Sequence, residues 1–271
     1  MKKLKIYLPF AVNELKCHLA YQGAFYLFML ISTFGSFISY FLWMAIYKSS
    51  PSNTLGGFTQ NEMVTYVFMA YVTTAIVTIS ISEWVSEDVV KGTVAMNLIK
   101  PIDYRVSLIS RAAGQMTYRF FAPAVFIWIG LEVYRVMALG ETMTSPFKMI
   151  CFILSCIMSF LIYVLFDFCF GMIAFFTTYI FGMQMAKEAL MAFLTGQLIP
   201  ISFFPETVQR IFDFLPFSSM VYTPVMIYLG KYTGSGLAFV MLRQLAWVLI
   251  LYVFGSLIWK TVTKRLVVLG G

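Results

Sequence analysis

The stretch SEWVSEDVVKGTVAMNLIKPIDYR, residues 82–105, interrupts a chain that is otherwise strongly apolar. The chain has 19 basic and 12 acidic residues, and seven of them lie here: Glu83, Glu87, Asp88, Lys91, Lys100, Asp103 and Arg105. Apolar runs flank the stretch on both sides, and a Gly-Thr and a Lys-Pro pair lie inside it. The stretch therefore predicts a polar connection, with its own turns, between two long apolar helices.

The composition places most of the chain in lipid. Of 271 residues, 61% are hydrophobic and 11% are charged, whereas a soluble domain has about 25% charged residues. A compact soluble domain of this size buries only about three quarters of its surface and could not hide so many apolar side chains. The net charge of +7 does not indicate nucleic acid, because the basic residues lie near the ends of apolar runs. We predict one membrane domain over residues 1–271.

Hydrophobicity predicts an all-α polytopic membrane protein with six transmembrane helices. A spanning helix needs about 20 apolar residues, and runs of about that length cover residues 23–47, 62–81, 106–133, 147–176, 187–203 and 236–259. Residues 1–21 precede them and show an apolar stripe at helical spacing, which predicts an N-terminal interfacial helix. Twelve basic residues then lie on the side of the termini and six on the other, leaving Arg119 aside. This asymmetry predicts that both termini are cytoplasmic.

Turn and capping signals predict a helical elbow at residues 86–101, within the connection at 82–105. Ser86 can cap a first short helix, and Gly92 interrupts it. Thr93 can cap a second short helix, which ends before Pro101 because a proline disfavours helical geometry in the residue before it. Asp103 follows and can cap the third span. The alternative interpretation is a solvated connector that only follows the charge asymmetry of membrane proteins.

The run EDVVKGTVAMNLIKPI resembles the first cytoplasmic loop of ABC type-2 exporter permeases. Members of that family carry an acidic stretch, then Gly-Thr, then apolar residues, then a proline nine positions after the glycine. They often also have an acidic residue three positions after the glycine, where this chain has Ala95. The resemblance implies a cytoplasmic coupling helix that docks on an ATP-hydrolysing subunit. It assigns that docking to Glu87, Asp88, Lys91, Gly92, Thr93, Leu98, Lys100 and Pro101.

A second stretch, GQLIPISFFPETVQRIFDFLPFSSMVYTPVMIYLG at residues 196–230, also resembles this family. The family has a glycine, proline-containing turns and a short amphipathic helix before the last span. Here residues 206–215 carry an apolar stripe with charges on the opposite face, and Glu206 lies favourably at the helix start. We therefore predict outer re-entrant or amphipathic helices within residues 204–230. The alternative interpretation is an ordinary external loop.

The resemblance also implies the partners of the chain. It implies two cytoplasmic ATPase subunits that bind ATP and Mg²⁺, a second permease chain that is identical or a paralogue, and a bacterial cell membrane. The LIKP-I form is similar to a bacterial subgroup whose permeases are often encoded as unlike pairs. In the chain itself, Gly230-Lys231 lacks the rest of a P-loop pattern. One histidine and four scattered cysteines fit no metal-ligand spacing, so we expect no catalytic, cofactor or metal site.

Three charged residues, Arg119, Asp167 and Arg243, lie within apolar runs. An ionised side chain near the bilayer centre costs about 2.5–3.5 kcal/mol on insertion scales, so each needs a partner, a watery cavity or an interfacial depth. They could line a path or a contact between permease subunits, or they could be paired locally. Glu132 and Arg135, three residues apart, predict a local pair.

Two other classes of function remain open at this point. An ATP-independent, ion-coupled transporter or channel would use Asp167 as a proton or ion relay. A membrane-embedded enzyme of lipid metabolism would need a polar catalytic cluster at the membrane surface, and the sequence shows none.

Overall fold

The computed structural model describes residues 2–20, 22–177 and 180–264, and this part of the chain is mainly helical. Residues 1 and 21 of the predicted interfacial helix, and Arg265 of the basic residues counted above, lie outside it. The first six helices are α1 (Lys2–Ala20), α2 (Gln22–Ser49), α3 (Gln60–Val77), α4 (Ile81–Val90), α5 (Thr93–Ile99) and α6 (Tyr104–Arg119). The next six are α7 (Val125–Ala138), α8 (Pro146–Gly171), α9 (Phe181–Leu194), α10 (Glu206–Phe214), α11 (Tyr222–Leu229) and α12 (Gly234–Thr263).

A small β-hairpin joins α2 to α3 and was not predicted. Its strands, β1 (Thr54–Leu55) and β2 (Phe58–Thr59), pair antiparallel. Gly56 and Gly57 form the two-residue turn with φ of 56° and 82°, the geometry for which glycine is favoured in tight hairpins. Thr59 also caps α3 by accepting from the backbone N–H of Glu62.

Four helical segments are long and apolar enough to cross a membrane. Among the described residues these are Met29–Ser49, Gln60–Val90, Pro146–Phe175 and Gly234–Thr263. They largely coincide with the predicted first, second, fourth and sixth spans. At 1.5 Å per residue, α12 alone is about 45 Å long, which exceeds the roughly 30 Å hydrocarbon core. The all-helical polytopic membrane class is therefore confirmed, whereas the count of six crossings stays a prediction.

The other two predicted spans take different forms. Residues 104–138 form one continuous helical stretch with a π-helical turn at Phe120–Ala124, and Pro123 lies in that turn because proline cannot supply the normal backbone hydrogen bond. The predicted fifth span, residues 187–203, is not one helix. α9 ends at Leu194, and a separate 3₁₀ turn follows at Ile201–Phe203. α9 has 14 residues, whereas a helix that crosses the membrane perpendicularly needs about 20.

The core lies where α3, α8 and α11 pack together. Met69, Phe152 and Val225 are completely buried there. Residues 204–230 are thus no simple loop, because α10 is an amphipathic surface helix with no buried residue and α11 is buried along most of its length. We call the end of the molecule with β1 and β2 the hairpin end, and the opposite end, with α4 and α5, the elbow end.

The N-terminal helix α1 packs along α6. A Cβ atom added at Gly114 would lie 2.8 Å from the carbonyl carbon of Ala11, so only glycine permits this close backbone approach. Arg111 Nε donates to Glu14 Oε2 at 2.6 Å across the same contact. The predicted N-terminal helix therefore forms and is attached to the bundle at the elbow end, and its depth at a membrane surface stays a prediction.

Candidate functional site

The predicted elbow forms, with its helices in slightly different positions. α4 and α5 meet at Gly92, whose φ of 70° lies in the left-handed region, and α5 ends before extended Lys100. Two capping predictions are wrong. α4 begins at Ile81, so Ser86 lies inside it rather than at its cap, because the first turn is held by a residue distant in sequence. Gly92, not Thr93, occupies the cap position of α5.

Asp88 holds the elbow together from inside. Its carboxylate accepts a hydrogen bond from Thr93 Oγ1 at 2.5 Å, from Asn97 Nδ2 at 3.2 Å and from the Tyr104 hydroxyl at 2.7 Å. These bonds join α4, α5 and the start of α6. Charge-assisted hydrogen bonds are stronger than neutral ones, so they fix the angle between the two short helices. Asn97 and Tyr104 were missed by the sequence analysis because only the fold brings them to Asp88.

The other seven residues assigned to docking are exposed. Glu87 pairs with Lys91 at 2.5 Å, and Lys100 Nζ donates to Asn97 at 2.7 Å. Beside these charges lies an apolar ridge made of Val90, Met96, Leu98 and Ile99. Ile99 is 80% exposed and Met96 is 65% exposed, although Val94 of the same helix is buried. A contiguous apolar surface between charged residues is typical of a protein–protein contact.

Three contacts attach the base of the elbow to the bundle. Asp103 caps α6 by accepting from the backbone N–H of Arg105 at 2.9 Å, as predicted. The backbone N–H of Asp103 donates to the Tyr7 hydroxyl at 2.9 Å, and Arg105 Nη1 donates to Ser256 Oγ at 2.7 Å. Burial alone would raise the pKa of the Asp103 carboxyl, but its hydrogen bonds and charge pairing with Arg105 lower that pKa below its usual value. The elbow is thereby joined to α1, α6 and α12.

A fourth contact joins α4 to α1 through α6. The guanidinium of Arg111 lies 4.0 Å from the centre of the Trp84 ring, a cation–π geometry. The same side chain pairs with Glu14 at 2.6 Å. This contact was not predicted, because Glu14 and Arg111 are 97 positions apart and no local pattern links them.

Asp167 of α8, one of the three charges within apolar runs, lies at the break between α3 and α4. Its carboxylate accepts from the Ser82 backbone N–H at 2.7 Å and from Ser82 Oγ at 3.0 Å. Lys187 Nζ of α9 donates to the same carboxylate and, at 3.1 Å, to Ser82 Oγ. All three residues are buried. The negative carboxylate thus lies at the positive N-terminus of α4 and satisfies the Ser82 backbone amide in its first turn.

Arg119 serves the other side of the same break. Its guanidinium donates to the backbone carbonyl of Thr78, the C-cap residue that follows α3. A positive charge at the C-terminus of a helix complements the helix dipole. Arg119 and Asp167 therefore satisfy the two helix ends that a break inside an apolar region would otherwise leave unpaired.

Arg243 lies apart from these charges, near the hairpin end. Its Nη1 lies 3.1 Å from Asp213 Oδ1, and its Nη2 donates to Thr223 Oγ1 at 3.2 Å. It joins α12 to α10 and α11. Each of the three charges therefore has partners within this chain, which favours local pairing over a shared translocation path.

Glu132 and Arg135 form the predicted local pair at 2.9 Å. The pair belongs to a larger cluster near the hairpin end. Arg135 also pairs with Glu141 at 2.9 Å, and Glu132 accepts from Thr144 Oγ1 at 2.7 Å and from the Tyr228 hydroxyl. The cluster joins α7 to α11 and to the segment before α8.

Comparison with protein families identifies the family that the chain resembles. A family model described as ABC-2 family transporter protein matches residues 31–270. No individual curated protein matches the chain. Within the described part of the chain, His, Cys, Asp and Glu side chains form no group of three that could hold a metal ion.

Proposed function

Because the chain belongs to the ABC-2 transporter family, we propose that it is the membrane subunit of an ATP-driven exporter. Two permease chains, identical or paralogous, work with two cytoplasmic ATPase subunits in a bacterial cell membrane. ATP and Mg²⁺ are bound and ATP is hydrolysed in the ATPase subunits, so this chain supplies no catalytic residue. Its part is to form the path and to transmit motion to it.

In this proposal the chain crosses the membrane six times, with both termini and the elbow in the cytoplasm. The helical stretch of residues 104–138 supplies the third crossing. The fifth consists of α9 and the segment that continues to the 3₁₀ turn at Ile201–Phe203. The excess of basic residues at the elbow end supports this orientation.

The apolar ridge of the elbow carries the proposal. Its four side chains are exposed at an end of the molecule where the neighbouring residues are charged and would face water. An ATPase subunit that covered the ridge would bury Ile99 and Met96 and would place Glu87, Lys91 and Lys100 at the rim. This is the usual arrangement of a protein interface, with an apolar centre and a polar edge.

α4 is the element that would transmit the motion of the ATPase subunits. Asp88 ties it to the docking helix α5, and the Asp167–Lys187 pair ties its other end to α8 and α9. ATP binding can shift the permease between two states only if the ATPase subunits contact those states differently. Closure of the two ATPase subunits would supply that difference by displacing the elbow.

Replacement of Ile99 by aspartate tests the docking surface. We expect Ile99→Asp to lower the amount of ATPase that copurifies with the chain by about tenfold or more, because a central interface residue contributes about 2 kcal/mol or more. The matched control is Ile211→Asp, an exposed isoleucine of the short amphipathic helix α10 at the hairpin end, which should leave copurification unchanged. Equal copurification of both variants and the wild type would contradict the proposal.

The ion-coupled alternative gains no support from Asp167. That carboxylate is buried and is held by Ser82 and by the equally buried Lys187, whereas a proton or ion relay needs access to water. Transport by the reconstituted chain without any ATPase subunit would nevertheless favour this alternative.

A further inference from the structure

A cavity of about 490 Å³ lies between α2, α3 and α7. α2 contributes Met29 and Phe37, α3 contributes Phe68 at the base, and α7 contributes Phe126 and Gly130. Phe37 and Phe126 are also exposed, so the cavity opens to the surface of the molecule. Its volume lies within the range of about 300–1,000 Å³ that is usual for small-molecule sites.

The cavity lies within the apolar part of the bundle. It extends along α2 from Met29 to Tyr40, which is about 16 Å at 1.5 Å per residue. Both α2 and α3 belong to segments that are able to cross a membrane. The cavity therefore opens toward hydrocarbon, and its length is about half of the roughly 30 Å hydrocarbon core.

The polar groups of its walls are already satisfied. Thr33 Oγ1 donates to the Met29 carbonyl at 2.8 Å and Ser36 Oγ donates to the Thr33 carbonyl at 2.7 Å. The hydroxyls of Tyr40 and Tyr134 lie near each other, and no residue of the lining is ionisable at neutral pH. An ordered water needs two to four polar partners, and a cavity without them stays dry. An apolar occupant is favoured instead.

We propose that this cavity binds one alkyl chain of an amphiphile, aligned along α2. The chain can come from a resident phospholipid or from a single-chain amphiphile that is cargo, and both present the same chemistry to the walls. A second helix fits this place poorly, because close helix packing in membranes uses stripes of small residues. Here the rim is formed by the rings of Phe37 and Phe126. The site does not depend on the ATPase subunits.

Gly130 provides the test, because a Cβ atom there meets nothing within 4 Å. Gly130→Leu places a side chain in the cavity without a clash at its Cβ position. Gly236→Leu is the matched control, since Gly236 also lies in a helix, has open space around its Cβ position and is remote in sequence from the cavity. The full chain is reconstituted in phosphatidylcholine vesicles. One arm contains phosphatidylcholine with a diazirine on its acyl chain, and the other contains a diazirine-bearing hexadecanol.

After illumination, mass spectrometry locates the labelled residues. We expect at least one probe to label Met29 or Phe126 more strongly than the exposed Leu249 of α12. Gly130→Leu should reduce that labelling by about tenfold or more, as expected when the space of an occupant is filled, and Gly236→Leu should not. Labelling by the phospholipid identifies a resident lipid, and labelling by hexadecanol alone identifies a cargo-like amphiphile.

Two results overturn the proposal. One is labelling of the cavity walls that does not exceed that of Leu249 or that does not respond to Gly130→Leu. The other is an interchain disulfide from Phe37→Cys together with absent wall labelling, which would show that a second copy of the chain covers the cavity. Unchanged labelling of Leu249 in every variant establishes that the variants are folded and inserted.

Discussion

Asp167 and Lys187 illustrate how single residues stabilise a break in a helix inside an apolar bundle. Both are buried, and with Ser82 they satisfy the first turn of α4. A buried ion pair gains little over apolar packing, but removal of one partner leaves an unpaired buried charge. The local structure around the start of α4 therefore depends on both partners, whatever the net contribution of the pair to stability.

Asp167→Asn should lower the free energy of unfolding by about 3–5 kcal/mol, because it leaves the Lys187 ammonium group without its counter-charge. The double variant with Lys187→Gln should lose less than the sum of the single variants. Unfolding in mixed micelles with rising denaturing detergent measures both effects. Glu206→Gln, in an exposed pair with Arg210 at 3.8 Å, is the control and should have no measurable effect. Strictly additive losses would show that Asp167 and Lys187 do not act as a pair.

A substitution at Gly114 tests the contact between α1 and α6. Gly114→Ala places a methyl group against the backbone of Ala11, and we expect a loss of about 1–3 kcal/mol from overpacking. Gly182→Ala is the matched control, because its Cβ position is open and alanine favours a helix over glycine. Thermal unfolding of both variants in the same detergent compares them. Equal midpoints for the two variants would mean that α1 does not pack on α6 in solution.

At the scale of elements, the elbow is a unit whose angle depends on Gly92 and Asp88. The glycine permits the left-handed turn between α4 and α5, and the carboxylate joins both helices to α6. The apolar ridge then faces outward, because Val94 alone turns inward on α5. A change of the turn should alter docking without altering the bundle.

Gly92→Val tests that separation. A β-branched residue with φ near 70° is strained by about 1–3 kcal/mol, so the elbow should adopt another angle and bind little ATPase. Gly57→Val is the matched control, since Gly57 also has a positive φ and open space at its Cβ position but lies at the hairpin end. Copurification with the ATPase subunit is compared for both. Loss of binding in both variants, or in neither, would contradict a specific role of the elbow.

At the scale of the whole molecule, the two ends have different chemistry. The elbow end combines α1, the elbow and the start of α6 through Tyr7, Arg105 and Arg111. The hairpin end holds the paired clusters around Glu132 and Glu62, and Lys231 lies 2.5 Å from Glu62. The clusters of the hairpin end consist of internal pairs, whereas the elbow end leaves an apolar ridge exposed.

Cysteine labelling tests the proposed orientation. In a background without the four native cysteines, Ser52→Cys and Thr142→Cys should react with a membrane-impermeant maleimide in intact cells, because both positions are exposed near the hairpin end. Lys100→Cys in the elbow should react only after the cells are opened. Labelling of Lys100→Cys from outside would reverse the orientation, and protection of Thr142→Cys would contradict the six-crossing arrangement.

Local sequence features determined which segments of this protein form long helices and where the elbow turns and ends. Long apolar runs predict helices in lipid, and Gly92, Pro101 and Asp103 predict the turn, the end and the cap of the elbow, because each acts on its own backbone or on residues one or two positions away. The family resemblance came from the same stretch. These features required no knowledge of the packing.

Tertiary structure alone decided which charges meet and where the space lies. Asp167 bonds to Ser82, 85 positions away, and Glu14 meets Arg111 across 97 positions. The residues that bond to the two sides of the break at residues 78–80, Arg119 and Asp167, come from other helices. The cavity beside Gly130 arises from the spacing of three helices. Such features depend on distances between segments far apart in the chain, and neither periodicity nor composition encodes those distances.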